Sequence, residues 1–251
     1  MKKLLLQSAL LAAGFLLLAG CTNVATFDYS AAAEPIVSFA GPPEAKSIAV
    51  LPFLDQRSRK SLQQLTPAAD SGSFYLGLLP LMPYGYVKKP FPERSDDFVS
   101  LGRFHFNPSL DLAEASVLSL KASRLFGRVE LADSAGRTDA EYLWRGSVNN
   151  TFYSGAMLTY CISYFLSPAL WAVGAPEGVS RNALGVSFEL VERATGRTVW
   201  RYDYDGEDYI VHWIYARIGK DVSLYADLMR QALNLALSDL APRLPELQRS
   251  R

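Results

Sequence analysis

Three groups of residues in this chain carry functional groups of the kind that do chemistry: two cysteines, two histidines and a run of acids in the last quarter. Cys21 stands directly after Leu18-Ala19-Gly20, at the end of a long apolar stretch. Cys161 lies inside Tyr160-Cys161-Ile162, and that apolar setting predicts a buried, inert thiol. His105 in Phe104-His105-Phe106 and His212 in Val211-His212-Trp213 read as packing positions, too far apart for a histidine-rich metal site. Asp203, Asp205, Glu207 and Asp208 suggest calcium, but an EF-hand loop needs glycine three residues after its second acid, and Gly206 follows Asp205 at once. A solvated Asp205-Gly206 turn is the better reading. No Gly-x-Ser-x-Gly elbow, phosphate loop or HExxH spacing is present. The residues predict a protein that is not an enzyme and takes neither cofactor nor metal.

The N-terminus is more specific. Lys2 and Lys3 precede an apolar run from Leu4 to Leu18, followed by the small residues Ala19 and Gly20. This is the layout of a secretory signal peptide, and the run is short of the ~20 residues of a membrane span. Leu18-Ala19-Gly20-Cys21 closely resembles the bacterial lipobox. The resemblance implies cleavage before Cys21 and acylation of its sulfur and new amino group, giving a lipid-membrane partner. It also implies, through Thr22 where an Asp would retain the protein at the inner membrane, the periplasmic face of the outer membrane.

Composition agrees with an exported globular domain. The chain has 251 residues, 49% of them hydrophobic, and 25 Lys+Arg balance 25 Asp+Glu. Zero net charge argues against nucleic acid, which needs a basic surplus to displace counterions. Residues 1–20 read as signal, 21–46 as lipidated terminus and tether, with Pro35, Pro42 and Pro43, and 47–251 as one domain.

Elements in that domain follow from periodicity. Ile48-Ala49-Val50-Leu51 reads as a buried strand. Residues 55–107 form a long excursion whose stretch from Phe74 to Pro92 holds four prolines with Tyr75, Tyr84 and Tyr86, against a regular helix or central strand. A helix follows Asn107, with Asn107, Ser109 or Asp111 as cap, Asp111 and Glu114 at capping-box spacing, and Gly127 closing it. Arg128 to Leu131 is a short strand. Tyr142, Trp144, Gly146, Val148 and Phe152 share one face of another. Leu184, Val186, Phe188 and Leu190, then Trp200, Tyr202 and Tyr204 across Ala194-Thr195-Gly196-Arg197, form a hairpin. Asp221 to Leu240 is a helix with Tyr225, Met229, Ala232, Ala236 and Leu240 inward. This order predicts an α+β two-layer sandwich, with helices on one face of a small mixed sheet.

Lys46-Ser47-Ile48-Ala49-Val50-Leu51-Pro52-Phe53 resembles the opening strand of periplasmic domains such as the TolB N-terminal domain and the curli-secretion lipoprotein. Leu125-Phe126-Gly127, Gly146 after Ala140-Glu141-Tyr142, and Thr195-Gly196 with Trp200 fit the same pattern. The excursion is longer than that family's first connection, and no propeller follows. The segment from Gly155 to Ala175 carries no charge and allows three readings: a core-covering helix broken at Pro168, an exposed surface meeting a membrane or partner, or a pore-forming insertion. Tyr75, Tyr84, Tyr86, Tyr160, Tyr164, Phe165 and Trp171 are its candidate contact residues and those of the excursion. The expected role is an interaction or assembly module in envelope maintenance or transport, with an envelope protein as partner. An oligomeric export channel, or a carrier of a small apolar ligand, is the alternative, and self-association stays open.

Overall fold

A computed structural model describes residues 25–32, 35–40, 44–57, 79–81, 83–89, 104–163, 165–216 and 223–245. Leu18, Ala19, Gly20, Cys21, Tyr75 and Tyr164 lie outside these residues, as do the side chains of Tyr84, Tyr86 and His105.

The architecture is α+β, built on one open mixed sheet. Strand β2 (Glu44–Val50) lies between β6 (Phe126–Leu131) and β7 (Tyr142–Leu158) and runs parallel to both. Ile48, Ala49 and Val50 are fully buried, which explains the unbroken apolar run. Helix α1 (Pro108–Ser123) makes the crossover between β2 and β6. Beyond β7, the hairpin β8 (Gly178–Glu192) and β9 (Thr198–His212) continues the sheet antiparallel. β7 is longer than any one partner on its other edge. β2 pairs with its start, β3 (Leu54–Asp55) with its middle and β4 (Tyr84–Lys89) with its end. Ala25–Thr26, β1, pairs separately with Phe104–His105, β5.

Helices α1 and α3 (Ser223–Leu240) cover one face, as expected. Tyr225, Met229, Ala232, Ala236 and Leu240 are all fully buried against Leu184, Val186, Phe188 and Leu190. Trp144 sits at the centre, its ring 5.4 Å from Phe188 and 5.6 Å from Trp200. Three polar rungs fix the direction of α3 along the sheet. Trp200 Nε1 donates to Asp239, Tyr204 Oη to Gln231, and Tyr225 Oη to the Phe152 carbonyl. The first turn of α3 therefore lies towards the end where β7 leaves the core. A short helix, α2 (Ser167–Ala172), stands apart from this layer at that end.

Several expectations change in detail. The prolines of Phe74 to Pro92 speak against a regular helix or central strand, and within that stretch Tyr84–Lys89, between Pro83 and Pro90, pairs with the end of β7 as an edge strand. Asn107 caps α1 without a side-chain bond, and Asp111 instead accepts from the Asn107 N–H. Ser109 is not the cap either; its hydroxyl donates to the Phe53 carbonyl. α1 stops at Arg124, left-handed at φ 60°, so Gly127 is inside β6. Gly206 makes no turn. β9 runs straight through it, and the Tyr204 ring lies where a side chain at 206 would be. A register shift between Val148 and Asn150 reverses the phase of β7, so Thr151 and Tyr153 are buried and Phe152 is not.

The expected tether is laid against the domain over residues 27–32 and 35–39. Tyr29 is buried, with its hydroxyl bonded to Ser119 and its carbonyl accepting from Arg230. Val37 N–H donates to Asn234 at 3.1 Å and Phe39 N–H to the Ser123 carbonyl at 3.1 Å. The cue missed in the sequence is distance: Arg230 is 201 residues away from its acceptor.

Candidate functional site

The site begins where helix cover ends. Past Phe152, strands β4, β7, β8 and β9 extend beyond α3 and are closed by residues 159–163 and 165–176 with 79–81, 83 and 213–216. From Gly155 to Pro176 there is no Asp, Glu, Lys, Arg or His, and residues 79–83 add none. Such a segment would be expected inside. Here it forms a tip, with Phe165 76% exposed, Leu166 63%, Val173 82%, Leu81 81% and Tyr215 73%. Contiguous exposed apolar surface of this kind marks a contact site.

An internal hydrogen-bond frame holds the tip open. Trp171 Nε1 donates to the Leu158 carbonyl at 3.0 Å. Ser167 Oγ lies within bonding distance of the Thr159 and Ser163 carbonyls, at 2.8 and 2.7 Å. Tyr160 Oη donates to the Pro176 carbonyl and Tyr215 Oη to the Ala172 carbonyl, both at 2.6 Å. Leu81 N–H donates to the Cys161 carbonyl, and Thr159 N–H to that of Pro83. Leu81, Tyr160, Cys161 and Ser163 all hold positive φ, at 70°, 51°, 64° and 81°. Left-handed backbone in side-chain-bearing residues costs of the order of 1–3 kcal/mol each and clusters at functional sites. Partial burial raises the pKa of the Tyr160 hydroxyl.

These contacts sort the sequence candidates. Phe165 is on the surface of the tip. Trp171 is 6% exposed and turned inward, because its indole N–H is needed at the base; it is a pin and not a contact residue. Tyr160 is half-buried by its bond to Pro176. Cys161, expected to be buried, is exposed, since the left-handed pair Tyr160-Cys161 turns the thiol outward. Pro168 does not break a helix; it sits in the first turn of α2, where its missing N–H costs nothing. Leu81, Val173 and Tyr215 were missed, though the charge-free runs that hold them are visible in the sequence.

Beneath the tip, on the same sheet face as Leu184 and Val186 but past the stretch that α3 covers, lies a second polar group. His212 Nε2 and Ser180 Oγ are 2.8 Å apart, and Tyr153 Oη is 3.4 Å from the same Ser180 oxygen. The Ser180–His212 distance is that of a nucleophile and its base. Both residues are closed in, at 2% and 6% exposure, and the contact satisfies two polar groups inside the layer. Asn182, in register with Tyr153 and Asp208, is fully buried, and neither atom of its amide has a hydrogen-bond partner. Among the described residues no group of three or more His, Cys, Asp or Glu is placed to hold a metal. Asp203 is held below the usual carboxylate range by the Arg201 guanidinium and then by Ser187, and Arg181 is paired with Glu207.

No family model matches the sequence, and no curated protein does. Solved structures with a similar chain path include a Xanthomonas campestris protein of the family-model DUF330. It is 10% identical, with 91% of this chain and 98% of that one covered and a TM-score of 0.42. A PelC dodecamer from Paraburkholderia phytofirmans is 15% identical, covering 82% and 94%, with a TM-score of 0.35. A putative neuraminyllactose-binding hemagglutinin homolog from Helicobacter pylori is 10% identical, covering 87% and 91%, with a TM-score of 0.37. Similarity this distant assigns neither family nor function to the chain.

Proposed function

We propose that this chain is a lipid-anchored protein of the bacterial envelope, held through acylated Cys21 at the periplasmic face of the outer membrane. Its domain works as a contact and assembly module and not as an enzyme. The observation that carries the reading is the charge-free tip, displayed by Phe165, Leu166, Val173 and Leu81 at the end of the long strands. The lipobox-like Leu18-Ala19-Gly20-Cys21 supports the anchor, and more than one acyl chain, at ~0.8 kcal/mol per buried CH₂, gives stable attachment. The closed Ser180–His212 pair supports a structural role for the residues that most resemble catalytic ones.

The test is metabolic labelling with an alkyne fatty acid, followed by separation of inner and outer membranes. Wild-type protein should take up the label and travel with the outer membrane, and Cys21→Ser should do neither. Label incorporation that persists in Cys21→Ser would refute the anchor.

A further inference from the structure

We propose that the tip formed by residues 159–163, 165–176, 79–81, 83 and 213–216 dips into the lipid leaflet that holds the Cys21 acyl chains, as a second membrane contact. The inference rests on the anchor proposed above.

Three observations lead to a lipid occupant. The first is chemistry. Lipid accepts a surface only if it brings no charge and leaves no polar backbone unpaired. The tip has no charged side chain from Gly155 to Pro176. The carbonyls of Leu158, Thr159, Cys161, Ser163, Ala172 and Pro176 each accept a hydrogen bond from within the tip. Irregular backbone usually leaves such groups to water, and here they are paired internally. Tyr160 and Tyr215 occupy two of these bonds, which leaves their rings for the headgroup level, where amphipathic aromatics settle.

The second is exposure. Phe165, Leu166, Val173 and Leu81 stand at 76%, 63%, 82% and 81% exposure at the end of the strands. Among the described residues no helix is long and apolar enough to cross a membrane.

The third is the path of the N-terminal segment. Followed backward from Phe39, bonded to Ser123, it passes Val37 at Asn234 and Tyr29 at Arg230. It then reaches Phe27, stacked on Phe106, which stacks on Tyr225 in the first turn of α3. The Tyr225 hydroxyl in turn meets Phe152, where β7 leaves the core. The segment thus climbs α3 towards the tip. Cys21 is four residues before Ala25, a reach of at most ~14 Å. Anchor and tip leave the domain at the same end.

Cys161 is exposed on the tip, and acylation would consume the thiol of Cys21, the other cysteine of the chain. The full acylated protein, carrying an environment-sensitive fluorophore on Cys161, is reconstituted in vesicles of phosphatidylethanolamine and phosphatidylglycerol. Flotation reports the anchor, and the label reports the tip. The expected label is blue-shifted, quenched by lipids spin-labelled near the headgroup, shielded from aqueous iodide and unchanged by high salt. Phe165→Asp with Val173→Asp should lower lipid quenching by about tenfold or more, while flotation and circular dichroism stay as in the wild type. A label open to iodide overturns the inference, whether or not the protein floats. So does a double variant that behaves as the wild type, or a photocrosslinker at Phe165 that captures protein in place of lipid. A shielded label on protein whose flotation survives Cys21→Ser keeps the tip contact and refutes the anchor.

Discussion

The guanidinium of Arg230 lies 4.4 Å from the centre of the Tyr29 ring and donates a hydrogen bond to the Tyr29 carbonyl. Arg230 is 6% exposed, so the cation is taken from water and repaid by one ring face and one carbonyl. This contact fastens the N-terminal segment to α3. Arg230→Leu should lower stability by about 2–4 kcal/mol in denaturant unfolding. It should also open residues 27–39 to limited proteolysis. A variant as resistant as the wild type would mean that Ile36 and Phe39 hold the segment unaided.

The same docking is pH-dependent at the alkaline end. Burial raises the Tyr29 pKa, against smaller opposing effects of the Ser119 hydrogen bond and the Arg230 charge. The folded state therefore holds the phenol proton more tightly than an unfolded chain, whose tyrosines ionise near pH 10. Its contribution is full below that pH and is lost as pH rises through the higher folded-state value. Tyrosinate absorbance of the wild type minus that of Tyr29→Phe should show a component ionising later than free tyrosine. A midpoint in the ordinary range would contradict the burial.

Gly146 is required by a ring. A Cβ built there would sit 2.3 Å from atoms of the Phe53 ring, which packs edge-on to Phe188 at 6.1 Å. Gly146→Ala should cost roughly 1–3 kcal/mol through overpacking. Adding Phe53→Leu should return part of that loss, read as a coupling energy in a double-mutant cycle. Additive losses would show that the ring is free to move aside.

Asn182 offers the opposite sign. Its amide is buried without partners, so an apolar residue of similar volume removes a desolvation cost and adds packing. Asn182→Leu should raise stability by about 1–2 kcal/mol in thermal or denaturant unfolding. A loss would mean that the amide is engaged in solution.

Much of the framework was readable because it rests on local period. Ile48 to Val50, the alternation from Leu184 to Leu190 and the stripe from Tyr225 to Leu240 each announce their own burial. What stayed hidden depends on partners remote in sequence. Gly206 carries a turn signal that β8 overrides by pairing with β9 along its whole length. The shift between Val148 and Asn150 moves Phe152 off the inner face, and no local residue pattern marks it. Tyr29 docks only because α3 presents Arg230. The tip is the reverse case. Its lack of charge was plain, but composition alone says that a segment avoids water and not which surface takes water's place. Four left-handed residues and a frame of carbonyl bonds decide that it faces outward.

The length of β8 also sets a standoff. Its 15 residues, at ~3.3 Å each, carry the chain about 50 Å from the base of the tip to the Thr195-Gly196 turn. β7 runs alongside from Tyr142 to Met157 with a single register shift between Val148 and Asn150, so the pair behaves as a spar. Whatever holds Phe165 fixes the height at which that polar turn is offered to the surroundings. Adding residues in register to β7, β8 and β9 would raise that height, much as lengthening a mast raises its masthead.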